Sequence, residues 1–129
     1  MKKIILAVRI LLGLIFTVFG LNGFFNFLPM PAPAPEAGAF FMALMATKYF
    51  LPVLKVTETV CGLLLLSDFF VPLALTILAP ITINIFLFHT FLDRGGLIMA
   101  VAVVAMNAFL AYGYRNSYTG VLTAKADSA

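Results

Sequence analysis

The sequence predicts an all-α fold: a polytopic membrane protein built as a four-transmembrane-helix bundle, with a short interfacial helix between helices 1 and 2. Three observations carry that prediction. Of the 129 residues, 64% are hydrophobic and only 10% are charged, whereas soluble domains run about half apolar and about a quarter charged. The mean hydropathy is +1.13, and a single domain of this size has too little interior to hide that much apolar side chain from water. The apolar residues also fall into four long runs, each bounded by turn-forming residues, which is how a chain solvated by lipid is written.

The first span covers residues 4–28, interrupted by Arg9 near its start and by Asn22 and Asn26 near its end. Its length exceeds that of a secretory-signal core, so it is read as a retained helix. Four prolines lie between Pro29 and Pro35; they remove backbone donors and favour extended chain, so the helix stops there. Between Glu36 and Lys48 lies an apolar stretch too short to cross and suited to a helix lying at the interface. The second span covers residues 50–66, with Pro52 in its first turn, a position that tolerates proline. Ser67 and Asp68 offer a turn and an N-cap for the third span, residues 69–92. Pro80 lies inside that span and cannot donate to the Thr76 carbonyl, which predicts a kink with the carbonyl satisfied inside the bundle. Asp93 to Gly96 form a tight turn, residues 97–114 the fourth span, and residues 116–129 a flexible tail.

Cation placement predicts the orientation. Lys2, Lys3 and Arg9 flank the start and Arg115 and Lys125 follow the last span, against Lys48 and Arg94 on the opposite loops. Five cations against two place both termini in the cytoplasm. The setting this implies is a bacterial cytoplasmic (inner) membrane, with the lipid bilayer as the first partner.

Composition excludes several chemistries. The net charge of +3 is scattered, and no basic run interleaved with aromatics is present to track a phosphate backbone, so nucleic acid is not expected as a partner. The single cysteine, Cys61, precludes an intrachain disulfide and reads as a small buried hydrophobe. Cys61 and His89 supply at most two soft or borderline ligands per chain, so no metal is expected, and a metal site would need a second chain or carboxylates. No catalytic motif stands out. The fourteen phenylalanines read as packing and lipid-facing mass.

What remains is the polar residues inside the spans. Counting residues along helices of alternating direction puts Asn22 and Asn26 of the first span, Lys55 and Glu58 of the second, and Asn84, His89 and Asp93 of the third toward the outer leaflet. Lys55 and Glu58 are three apart, the spacing of an ion pair on one helix face. Charged groups facing lipid cost about 2.5–3.5 kcal/mol at a helix centre, so these side chains are expected to converge inside the bundle. Two readings of such a cluster stand side by side: polar glue between helices, with Gly20, Gly23 and Gly62 permitting close approach, and a polar pocket for a small amphipathic ligand. His89 can exchange protons near neutral pH and would suit a quinone headgroup; its alternative is an interfacial histidine bonded to water or backbone. Asn107, midway along the fourth span, reads as interhelical glue.

The segment LPVLKVTETVCGLLLL, carrying Lys55, Glu58 and Gly62, and the following FVPLALTILAPITINIFLFHTFLD, carrying Pro72, Pro80, Asn84, His89 and Asp93, resemble the DoxX family of small bacterial membrane proteins. The opening AVRILLGLIFTVFGLNGF, with Arg9, Gly13, Gly20, Asn22 and Gly23, is similar too. The resemblance covers about residues 5–115. It implies four transmembrane helices and an association with quinone-linked sulfur oxidation or with quinone and thiol stress, and it supplies no catalytic residue. Together with the residues, it points to an accessory subunit or quinone-binding component of a membrane redox or stress-response system, such as a non-catalytic subunit of a quinone-linked oxidoreductase, with a membrane or periplasmic redox partner or a second copy of itself. The alternatives are a structural or assembly factor without ligand, and a small-solute or proton conduit. The scarcity of polar residues in the inner halves of the first three spans argues against the conduit.

Overall fold

The computed structural model describes all 129 residues and is helical throughout. Its helices are α1 (Lys2–Phe25), α2 (Pro35–Ala46), α3 (Phe50–Ser67), α4 (Val71–Phe91) and α5 (Leu97–Gly113), with 3-10 turns at Arg94–Gly96 and Arg115–Tyr118. Four helical segments are long and apolar enough to cross a membrane: α1, α3, α4 and Arg94–Gly113, with 24, 18, 21 and 20 residues. At 1.5 Å per residue they extend about 27–36 Å, against a hydrocarbon core of about 30 Å. The 12-residue α2 is the short helix expected between the first two spans.

The four long helices close a ring in which α1 packs on α3, α3 on α4, α4 on α5, and α5 on α1. Leu12 and Phe16 of α1, Cys61 and Leu65 of α3, Leu75 and Leu78 of α4 and Leu110 of α5 fill its middle. Outward positions such as Leu14, Val60, Leu73 and Val101 are apolar and exposed, the pattern of helices whose solvent is lipid.

Small residues set the tightest contact. Along α1 and α3, Gly13 meets Leu65, Thr17 meets Gly62, Gly20 meets Thr59 and Gly23 meets Lys55. Numbers rise on one helix as they fall on the other, so the pair is antiparallel. A Cβ on Gly62 would stand 2.6 Å from the Thr17 nitrogen and 2.9 Å from the Gly13 carbonyl oxygen. The backbones themselves touch here, as small residues allow in membrane helices. Gly113 at the end of α5 lies against Ile5, so both termini emerge at one end of the bundle, the termini end; α2 covers the other, the α2 end.

Helix boundaries differ from the sequence expectation where side chains or left-handed residues intervene. α1 stops at Phe25 because Asn26 is left-handed (φ 49°), while the Asn22 carboxamide oxygen accepts the Leu28 N–H at 2.7 Å. Asp68 does not cap the next helix. It is the left-handed residue that ends α3 (φ 64°), with its N–H donating to the Leu64 carbonyl, and α4 starts only after Phe70. Asp68 instead meets Arg9, 3.2 Å from its Nη1. That same Nη1 donates to the Leu65 carbonyl at 2.8 Å, a last-turn carbonyl for which the helix has no donor. Pro80 and Thr76 are both exposed, and no other helix donates to the Thr76 carbonyl, so the expectation that the bundle interior satisfies it is not met. At the C-terminal side, the Tyr118 hydroxyl donates to the Pro72 carbonyl at 2.8 Å and ties the first residues of the tail to α4.

Candidate functional site

The site is built on α3. Its α1-facing residues must be small or must lie flat, because Gly20 and Gly23 bring α1 close; the aliphatic stem of Lys55 therefore runs over Gly23, where an added Cβ would stand 2.5 Å from its Cγ. One turn further, Glu58 lies about 60° round the helix from Lys55, among the buried α3 positions Cys61 and Leu65, and is only 5% exposed. The Lys55 ammonium curls back to it, with Nζ 3.5 Å from Oε2. That is the one hydrogen bond Glu58 makes. A carboxylate buried at this depth is held by a single cation, itself still partly open.

What Lys55 opens onto is a cavity of about 360 Å³ between the end of α1, α2 and the start of α3. Phe24, Phe41, Leu44, Met45 and Leu51 give it apolar walls, and Lys48 stands with Lys55 as its second cation. α2 is held in place as one wall by aromatic packing: Phe40 and Phe41 lie 5.7 and 5.1 Å from Phe88 of α4, centroid to centroid. The cavity's volume lies at the low end of small-molecule sites, and its walls stay open, with Phe24 46% and Met45 63% exposed.

Of the seven residues expected to converge, the structure joins two, and Asp93 stays in the turn after α4, its Oδ1 accepting the Gly95 N–H at 3.3 Å. Lys55 and Glu58 form the pair. Asn22 is buried but spends its carboxamide oxygen on closing the turn after α1. Asn26 is exposed and serves as the left-handed end of that helix. The expectation for Asn84 is overturned: it lies on the outward face of α4 and bonds its own helix, Nδ2 donating to the Pro80 carbonyl at 2.9 Å. The reason is azimuth, since Asn84 follows the buried Thr82 by two residues, a rotation of about 200°. His89 stands apart from the pair. Its Nδ1 lies 2.9 Å from the Asp93 carbonyl oxygen, its ring packs edge-on to Phe88, and it fills the space beside Gly96, whose Cβ would stand 2.6 Å from Nδ1. No hydrogen bond or ion pair links it to Lys55 or Glu58. It holds the turn from α4 to α5, the backbone-bonded alternative of the sequence reading. Asn107 is buried with no partner for its Nδ2, so no hydrogen bond makes it glue. No three of the His, Cys, Asp and Glu side chains come together.

Sequence reasoning missed the walls from α2 and the participation of Lys48. No spacing signalled the latter, because Lys48 lies before the first residue of α3 in a left-handed conformation (φ 69°). It also missed the Arg9 to Asp68 contact, although an antiparallel α1 and α3 bring the start of one to the end of the other.

The DoxX family model matches residues 4–90. The chain belongs to the DoxX family. The matched stretch runs from the start of α1 almost to the end of α4 and includes Lys55, Glu58 and all the residues that wall the cavity, so the candidate site lies wholly within the DoxX region; α5 and the tail lie beyond it. No curated protein and no solved structure matches the chain.

Proposed function

We propose that this DoxX protein is a non-catalytic, membrane-embedded component of a quinone-linked redox or stress-response system, and that its cavity at the α2 end binds a quinone-like headgroup. The observation that carries the reading is Lys55: one cation that reaches a buried carboxylate on one side and an apolar cavity of about 360 Å³ on the other. A quinone is a flat apolar ring bearing carbonyl acceptors. Lys55 and Lys48 can donate to such acceptors while Phe24, Phe41 and Met45 cover the ring, and an isoprenoid tail leaves between the helices into lipid. Glu58 positions the Lys55 ammonium and balances its charge. In this reading Asn22, Asn26, Asn84 and His89 shape the scaffold and do not touch the ligand. Photolysis of a bound azidoquinone is expected to label α2 between Phe41 and Met45 or the start of α3, as read by peptide mass spectrometry; label confined to the outward faces of α4 and α5 refutes the proposal.

The same reading places the α2 end toward the outer leaflet and the termini in the cytoplasm of a bacterial inner membrane, on the strength of the cation distribution. Cysteines introduced in a Cys61→Ser background at Pro33 and Gly95 are expected to react with an impermeant thiol reagent in intact cells, and cysteines at Asp68 and Lys125 only after lysis. The reverse pattern inverts the topology.

A further inference from the structure

A second cavity, of about 310 Å³, opens at the termini end between α1 and α5. Lys2, Arg9, Asp68 and Tyr114 form its polar side and Ile5 and Leu6 its apolar side. Arg9 is only 7% exposed, yet only one of its nitrogens is used: Nη1 meets the Leu65 carbonyl and Asp68. Nε and Nη2 have no hydrogen-bond partner in the chain, and neither the Lys2 ammonium nor the Tyr114 hydroxyl has one. Asp68 is the only carboxylate present, and its side chain is 66% exposed. The cavity therefore offers three groups with unused donors, one of them the guanidinium of a side chain more than nine-tenths buried, around a net positive charge.

The geometry points to a binding site for a net-negative phosphate at this end of the bundle. A phosphate group matches the free edge of a guanidinium and a nearby ammonium, and Tyr114 adds a neutral donor. Leu6 is exposed toward lipid beside these groups, which provides a path for an acyl chain. The phosphate of an anionic phospholipid and free inorganic phosphate share this chemistry, and neither involves the α2-end cavity.

Two fold-neutral substitutions test the site, because Lys2 and Tyr114 make no side-chain hydrogen bond within the chain and Phe keeps the ring of Tyr114. The detergent-purified, delipidated full chain is offered phosphatidylglycerol or phosphatidylcholine and retained lipid is counted by native mass spectrometry; separately, its melting is followed with and without inorganic phosphate. Retention of phosphatidylglycerol is expected to exceed that of phosphatidylcholine by about fivefold or more, the effect of one cation near a headgroup, and Lys2→Gln/Tyr114→Phe is expected to abolish the difference without shifting the melting of the lipid-free chain. That result with no response to inorganic phosphate assigns the site to a lipid headgroup. A phosphate-dependent rise in Tm that the double variant loses assigns it to free phosphate. Equal retention of the two lipids together with no phosphate effect, or effects that the double variant leaves unchanged, overturn the proposal.

Discussion

Lys55→Met is expected to destabilise the folded chain by about 3–5 kcal/mol, the cost of leaving one member of a buried ion pair without its partner. Glu58 is 5% exposed and Lys55 supplies its one hydrogen bond, so nothing else in the bundle can take over. Adding Glu58→Leu removes the orphaned charge, and the double variant is expected to recover most of the loss, since replacing a buried pair by apolar groups is often neutral or stabilising. Glu58→Leu alone is expected to cost less than Lys55→Met, because Lys55 is partly open and its stem can carry the ammonium toward a polar surface. Unfolding in mixed micelles of the wild type, both single variants and the double variant gives the coupling directly. A double variant as unstable as the sum of the singles contradicts the pairing.

Gly62→Ala is expected to destabilise by about 1–3 kcal/mol through overpacking, although alanine is intrinsically the better helix former by about 1 kcal/mol. The new methyl would face backbone atoms of α1, the Thr17 nitrogen at 2.6 Å and the Gly13 oxygen at 2.9 Å, and backbone cannot swing aside as a side-chain tip can. α1 and α3 must then separate, which also draws Gly23 away from the Lys55 stem. Gly38→Ala in α2 is the control. Its nearest neighbour is Pro33 Cγ at 3.9 Å, so propensity acts alone and stability is expected to hold or rise. The measurement is the sign of the change in Tm at the two positions; a fall at both, or at neither, removes the close α1 to α3 approach from the account.

The bilayer makes some features legible in sequence and leaves others hidden. A span must hold about twenty apolar residues because unpaired backbone is not tolerated in hydrocarbon, so the four crossings could be read from run lengths alone, and α2 could be recognised as too short. The Lys55 and Glu58 pair was legible because three residues on one helix fix a distance. Depth along a helix follows from counting, but rotation about its axis does not. Asn84 and Thr82 sit at nearly one level and face opposite ways, and in a helix this uniformly apolar no polar stripe declares which side is inside. The packing that decides it comes from glycines, whose partners lie on another helix. Asn22 and Asn26 were misread for a second reason: they sit at a helix end, where a short polar side chain or a left-handed residue closes the turn, and the four prolines that follow already announced that end. The apolar walls from α2 carried no signal, since Phe41 and Met45 look the same facing lipid or facing a cavity.

The most direct measurement of the ligand site is the melting of the purified wild type and of Lys55→Met/Glu58→Leu, each with and without a ubiquinone or menaquinone analogue. A ligand that binds only the folded state stabilises it by about 2.7 kcal/mol at a hundredfold excess over Kd. The account predicts that gain in the wild type and its loss in the double variant, which keeps the bundle and Lys48 but removes the Lys55 ammonium from the cavity. No gain in the wild type, or an equal gain in both proteins, contradicts it.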